Sequence, residues 1–249
     1  MTESTPTAGV ILIGNELLSG KTQDSNLQFI GQRLADLGIR LQEAVVIADI
    51  EATIIATVNG YRTRHDYVFT TGGIGPTHDD ITSASVAKAF GVRLVKHPEA
   101  VRRLERAYQR AGLSDERMKM AEIPEGATLV DNPISQAPGF QIENVFVLAG
   151  IPSIARAMFD SLAPTLQGGP AIVSASVDGY LAESSLAKRL GEIDQRFPDV
   201  DIGCYPFFRN RRFGANVVAR GTDATAVREV IDLVFELMDE LGGEPERPD

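Results

Sequence analysis

The chain has 249 residues, 43% of them hydrophobic, and a formal net charge of −10. That length and apolar content suit a main domain with a small companion, whereas the acidic balance excludes a general nucleic-acid binder, which needs a basic surface. No apolar run approaches the roughly 20 residues of a membrane-spanning helix. The single Cys204 leaves no internal disulfide, and His65, His78 and His97 lack zinc spacing, so a cytoplasmic setting without membrane contact is expected and any metal has to rest on carboxylates.

The run "GVILI" (9–13) reads as a strand rather than a signal, because no basic segment precedes it. "DSNLQFIGQRLADLGI" then puts Leu27, Ile30, Leu34 and Leu37 at helical spacing and stops at Gly38. "RLQEAVVIA" is a second strand, "DIEATIIATVNGYRTR" a second helix, and "DYVFTTGG" a third strand that runs into glycines. Strand and helix alternating three times predict a parallel sheet. Two helices follow, "DDITSASVAKAFG" and "PEAVRRLERAYQRAG". The Pro- and Gly-rich stretch 114–143 is expected to wind over the surface in short strands and turns. "NVFVLAG" and "PSIARAMFDSLAPTL" complete the main domain, residues 1–168, and "QGGP" (167–170) is the linker. Residues 169–249 read as a small α+β domain with a long last helix from Ala224 to Leu241 and a frayed tail, "GGEPERPD".

The stretch "TTGGIGPTHDD" (70–80) carries the chemistry. A strand ending at Thr71, followed by Gly72, Gly73 and Gly75 and then a helix start, is where open parallel sheets bind phosphates. It lacks the Gly-Lys-Ser/Thr of a Walker loop and does not match GxGxxG. Asp79 and Asp80 alone would repel an anion, and a divalent cation between them resolves that conflict. The same two residues also suit a helix first turn as caps, and Asp49 stands at the cap of the second helix.

"GNELLSG", "TTGGIGPTHDDIT", "IPEGATLVDNP", "SQAPGF" and "VFVLAGIPS" occur in the order found in the molybdopterin-binding, MoaB/Mog-like domain of the CinA family. The resemblance covers about residues 8–168, and the small unit resembles the second domain of that family. It implies a doubly wound, mostly parallel three-layer α/β domain that binds pterin or dinucleotide phosphates, with activity on pyrophosphate bonds such as those of ADP-ribose and FAD. By this resemblance Asp80 is the acid of the Mog-type loop, Asp79 the extra acid of CinA, and Asp49 a second carboxylate aimed at the same crevice. Gly14 and Glu16 match the first CinA loop, with Asn15 in place of the usual Thr, and Glu16 reads otherwise as an exposed turn residue. "AGIPS" departs from the family's Pro-Gly-Pro-Pro-like turn, which leaves Gly150 and Ser153 as ligand contacts or Ser153 as a helix cap. The amidohydrolase domain of full-length CinA does not follow, so nicotinamide mononucleotide deamidation is not expected.

The expected function is a nucleotide pyrophosphatase with Asp80, Asp79 and Asp49 catalytic. Asp79 and Asp80 would hold Mg2+ or a transition metal. Gly14, Glu16, Thr71, Gly72, Gly73, Gly75, Gly150 and Ser153 would contact a small phosphorylated ligand. The alternatives are a molybdopterin-binding module without turnover and a molybdopterin adenylyltransferase using ATP. "RNRR" (209–212) reads as a solvated hairpin or as a contact in a symmetric homo-oligomer.

Overall fold

The last six of the seven residues of β1 (Thr7–Ile13) are buried, as required of a strand covered on both faces. The computed structural model describes residues 5–108 and 112–248, and the chain folds as two units, Met1–Gly169 and Pro170–Asp249.

In the first unit β1 pairs in parallel with β2 (Arg40–Ile47) on one side and β3 (Tyr67–Thr71) on the other. β3 continues in parallel to β8 (Val145–Leu148), and β7 (Gly139–Ile142) and β6 (Thr128–Val130) extend the sheet antiparallel, in the order β2-β1-β3-β8-β7-β6. Strand alternation divides the core into two layers. Ile11 and Ile13 meet Ile54 and Val58 of α3 (Glu51–Arg62) and Val86 of α4 (Thr82–Ala89). Val10, Leu12 and Phe69 meet Ile30 and Leu34 of α2 (Asn26–Asp36) and Met158 and Phe159 of α7 (Pro152–Leu162). Burying each of these large side chains contributes about 1.5–3 kcal/mol. The result is the expected three-layer α/β fold.

The chain leaves β1 for β2, then crosses back to β3 on the opposite side. The switch point therefore lies between the carboxyl ends of β1 and β3, where such sheets open a crevice.

The Pro- and Gly-rich stretch departs from its expected surface course. β6 and β7 are strands of the main sheet, β4 (Leu94–Lys96) pairs with β5 (Glu122–Pro124), and Ile123 and Phe140 are buried in the core. Apolar residues at alternate strand positions outweigh the turn-forming composition between them. Ahead of β5 come α5 (Pro98–Tyr108), the short α6 (Asp115–Met118) and a 3-10 turn, Lys119–Ala121. The expected continuation of α5 toward Gly112 falls on residues 109–111, outside the described residues.

The second unit is a three-stranded antiparallel sheet, β10-β11-β9, formed by β9 (Val173–Gly179), β10 (Asp201–Arg209) and β11 (Arg212–Gly221). Val177, Ala215 and Val217 pack against Leu186 of α8 (Glu183–Arg196) and Val230 and Val234 of α9 (Ala224–Glu240). Half-buried Cys204 packs in the same cluster, and burial raises its thiol pKa. The tail is not frayed. Glu246 forms a β-bridge with Asp178, Gly243 accepts the Tyr180 amide, and Arg247 pairs with Asp232. Two arginines of the hairpin are likewise engaged within the unit: Arg209 pairs with Asp178 at 2.6 Å, and Arg212 makes a two-pronged bond to Glu244 at 2.9 and 3.0 Å. Only Arg211, at the tip with φ 61°, forms no ion pair among the described residues. No helix among the described residues is long and apolar enough to cross a membrane.

Because each unit closes its own apolar cluster, residues 1–169 expressed alone should unfold in one cooperative transition in urea. A fragment that melts without a transition would place part of its core in the second unit.

Candidate active site

Four loops end at the carboxyl edge of the parallel strands, and their backbones interlock. The Gly14 amide donates to Ile47 O at 3.1 Å, and the Gly72 amide donates to Leu148 O at 3.1 Å. Asp49 accepts the Asn15 amide at 2.8 Å, so the loop after β2 anchors the start of α1 (Asn15–Leu18) after β1. Asn26 is 4% exposed and donates its side-chain amide to Gly150 O at 2.8 Å, tying α2 to the loop after β8. A Cβ on Gly150 would lie 3.2 Å from the Gly72 α-carbon, so these two backbones touch.

The glycines answer first to the protein's own packing. Gly72 has φ 103°, and a Cβ there would overlap the Ile13 carbonyl oxygen at the end of β1. Gly73 has φ 68°, and a Cβ there would strike the Thr82 hydroxyl at the start of α4. At Gly75 the added atom would meet a carboxylate oxygen of Asp80 at 2.7 Å. The loop thus folds tightly over β1 and α4 while the amides of Gly73 and Gly75 find no main-chain acceptor among the described residues. Thr71, buried at the end of β3, fixes where the loop departs.

The acidic pair closes a turn around Thr77. Asp80 accepts the Thr77 amide at 2.7 Å, and the Thr77 hydroxyl lies 2.5 Å from both an Asp79 oxygen and an Asp80 oxygen. A hydroxyl has one hydrogen to donate. Two carboxylate oxygens therefore share a single proton donor, leaving excess negative charge beside the glycine loop. The Thr77 bond, the largest of its causes, holds the Asp79 carboxyl below the usual carboxylate range. His78 is 98% exposed and stands off Asp79 at 4.0 Å.

The helix-cap alternatives do not hold. The N-cap of α4 is Ile81, that of α3 is Ile50 and that of α7 is Ile151, none with a side-chain bond. Asp79 and Asp80 serve their own turn, Asp49 serves Asn15, and Ser153 lies inside α7, exposed. Glu16 is exposed, and its carboxylate folds back over Gly14, 2.5 Å from where a Cβ would stand. Asp49 does not join the acidic pair: no group of three His, Cys, Asp or Glu side chains able to hold a metal forms among the described residues.

Three further residues shape the site with little sign of it in the sequence. Thr77 belongs to the glycine loop, and its position two and three residues before the acids is the available signal. Asn26 has no signal beyond lying two residues after Asp24. Lys119 lies 42 residues from Thr77, yet its ammonium donates to the Thr77 carbonyl oxygen at 2.8 Å.

Comparison with known proteins fits this arrangement. A family model described as "Probable molybdopterin binding domain" matches residues 9–168, and one described as "FAD synthase, middle domain" matches residues 171–242. A protein of Aeropyrum pernix is 35% identical over 262 residues, covering 97% of each chain. A "CinA-like protein" of Syntrophus aciditrophicus is 31% identical, covering 93% of this chain, which spans 61% of that relative's length. The crystal structure of the protein CinA from Thermoplasma acidophilum superposes with a TM-score of 0.61 at 32% identity, covering 65% of this chain and 98% of that one. With most of its length matched, the chain belongs to the MoaB/Mog-like molybdopterin-binding-domain family, is CinA-like, and carries a FAD synthase middle domain behind that first domain.

Proposed function

We propose that the first unit is a divalent-metal-dependent nucleotide pyrophosphatase acting on dinucleotides of the ADP-ribose or FAD type. One observation carries this reading: two carboxylates converge on one hydroxyl, at the switch-point crevice, beside main-chain amides that have no main-chain acceptor among the described residues.

Asp79 and Asp80 fit a hard cation of the Mg2+ kind, which takes one or two protein carboxylates and completes its shell with water and ligand phosphate. When bound, such an ion neutralises the diphosphate and makes a water more acidic. The chain's own contributions are distinct. Thr77 holds both carboxylates on one side of the turn. The amides of Gly73 and Gly75 face charge developing on phosphate oxygens, where preorganised donors act most strongly. Asp49 keeps Asn15 and the first loop in place, so Gly14 and Glu16 form the far wall as a positioned edge. Gly150, held by Asn26, forms the remaining side of the crevice.

The family description itself, a probable molybdopterin binding domain, supports a second reading, a molybdopterin-binding module without turnover; an adenylyltransferase that uses ATP on the bound pterin is the third. These readings share a phosphate-binding crevice and differ in whether turnover occurs and on which substrate. The deciding experiment is a turnover screen of the full chain with ADP-ribose, FAD, and ATP plus molybdopterin, each with Mg2+, Mn2+ and Co2+. Release of AMP from ADP-ribose or FAD is expected. Tight pterin binding with no hydrolysis of either dinucleotide would replace the pyrophosphatase by the module.

A further inference from the structure

The acidic turn poses a charge problem that one side chain addresses. Asp79 and Asp80 share one turn, and Asp80 and Glu122 line a small pocket beside it. Lys119 lines that pocket together with Ile74, Gly75, Asp80, Ser83 and Glu122. It is half-buried on the 3-10 turn ahead of β5, and its one side-chain hydrogen bond among the described residues is to Thr77 O at 2.8 Å. Its ammonium makes no close ion pair with Asp79, Asp80 or Glu122 among the described residues, and its charge is one of the lesser causes that lower the Asp79 carboxyl.

An ammonium group carries three donors. Two remain for another acceptor, and the group is aimed at the turn that presents Asp79 and Asp80. The pocket, about 20 Å3, holds little more than one water. A phosphate does not fit inside, so any contact between it and the Lys119 ammonium would be made at the mouth. A purely structural tether would more economically be an ion pair to Asp80 or Glu122, the charged partners beside it.

Resting on the pyrophosphatase reading, we propose that Lys119 is the anion-binding residue of this crevice. It contacts a phosphate oxygen of the bound nucleotide and makes the site specific for phosphorylated ligands. The carboxylates face the metal, and Lys119 supplies the fixed positive charge that lets the diphosphate approach them.

The test is calorimetric binding of inorganic pyrophosphate and of ADP-ribose, with MgCl2, to the full chain and to Lys119→Gln and Lys119→Arg. The Gln variant should bind both about tenfold or more weakly, the scale of a lost charge-assisted hydrogen bond, with a shallower dependence on salt. The Arg variant should recover most of the affinity, and the thermal midpoint should hold in both. Equal pyrophosphate affinity in wild type and the Gln variant would overturn the role of Lys119 while leaving the pyrophosphatase reading standing. A wild type that binds neither probe would overturn that reading and this inference with it. A Gln variant that melts several degrees lower, with affinity not restored by Arg, would make Lys119 a tether for Thr77 instead.

Discussion

Asp80→Asn should lower metal-dependent turnover by at least about 100-fold while leaving the unfolding midpoint within a few degrees of wild type. The rate loss is on the scale of removing one preorganised charge contact to a transition state. The stability expectation follows from the turn. Asp80 is half-buried and accepts the Thr77 amide. An Asn side chain keeps a carbonyl oxygen for that bond, so the turn closes while the negative charge is gone. The same oxygen also meets the Thr77 hydroxyl, so that contact is kept as well. The contrast with Thr77→Val is informative. That variant retains both charges but loses the hydroxyl they share, so metal affinity should fall less than in Asp80→Asn and the Asp79 carboxyl should titrate nearer its ordinary range, because the Thr77 bond is the first cause of its depression. Activity kinetics at saturating Mg2+ and a metal titration check both. An Asp80→Asn protein with wild-type turnover would remove Asp80 from the chemistry.

The parts of this molecule that can be read from its sequence are those fixed by local periodicity. β1 and β3 carry the apolar runs 10–13 and 67–69 because helices cover both faces, and α2 shows its Ile30 and Leu34 stripe on the face it turns to the sheet. The glycine loop is visible because three glycines in four positions have few other uses. Their reason is only half visible. Gly72 and Gly73 are demanded by Ile13 O at the end of β1 and by Thr82 at the start of α4, contacts that spacing does not reveal. Asp79 and Asp80 look like helix caps in one dimension because they precede a helix, yet Ile81 separates them from it and Thr77 captures both. The stretch 114–143 misleads for the opposite reason: turn residues dominate its composition, while a few alternating apolar positions, Ile123, Val130 and Phe140, decide its burial. Lys119 belongs to that stretch and reaches the site only through the fold. The same holds for Glu244 and Glu246, whose partners lie across the second unit's sheet and hold a tail that composition reads as free.

Gly72→Ala and Gly75→Ala should separate the two duties of the glycine loop. At Gly72 the backbone has φ 103°, a conformation that costs an L-residue about 1–2 kcal/mol. The added methyl also overlaps the Ile13 carbonyl oxygen, which is main chain at a sheet end and has little room to yield. Overpacking of this kind adds about 1–3 kcal/mol, so the variant should lose roughly 2–5 kcal/mol, a drop of the order of 10 °C for a unit of this size. Activity should vanish with it, because Gly150 and the end of β1 both rest on Gly72. Gly75 differs in two respects. It is not among the positive-φ glycines, and the atom its Cβ would meet is the movable carboxylate end of Asp80. Gly75→Ala should therefore melt close to wild type and still lose activity, since the methyl displaces the carboxylate proposed to hold the cation. Thermal unfolding and turnover, each measured on both variants, separate these outcomes. A Gly72→Ala protein as stable as wild type would mean that the loop rearranges freely, and a Gly75→Ala protein as active as wild type would mean that the position of the Asp80 carboxylate does not matter to the reaction.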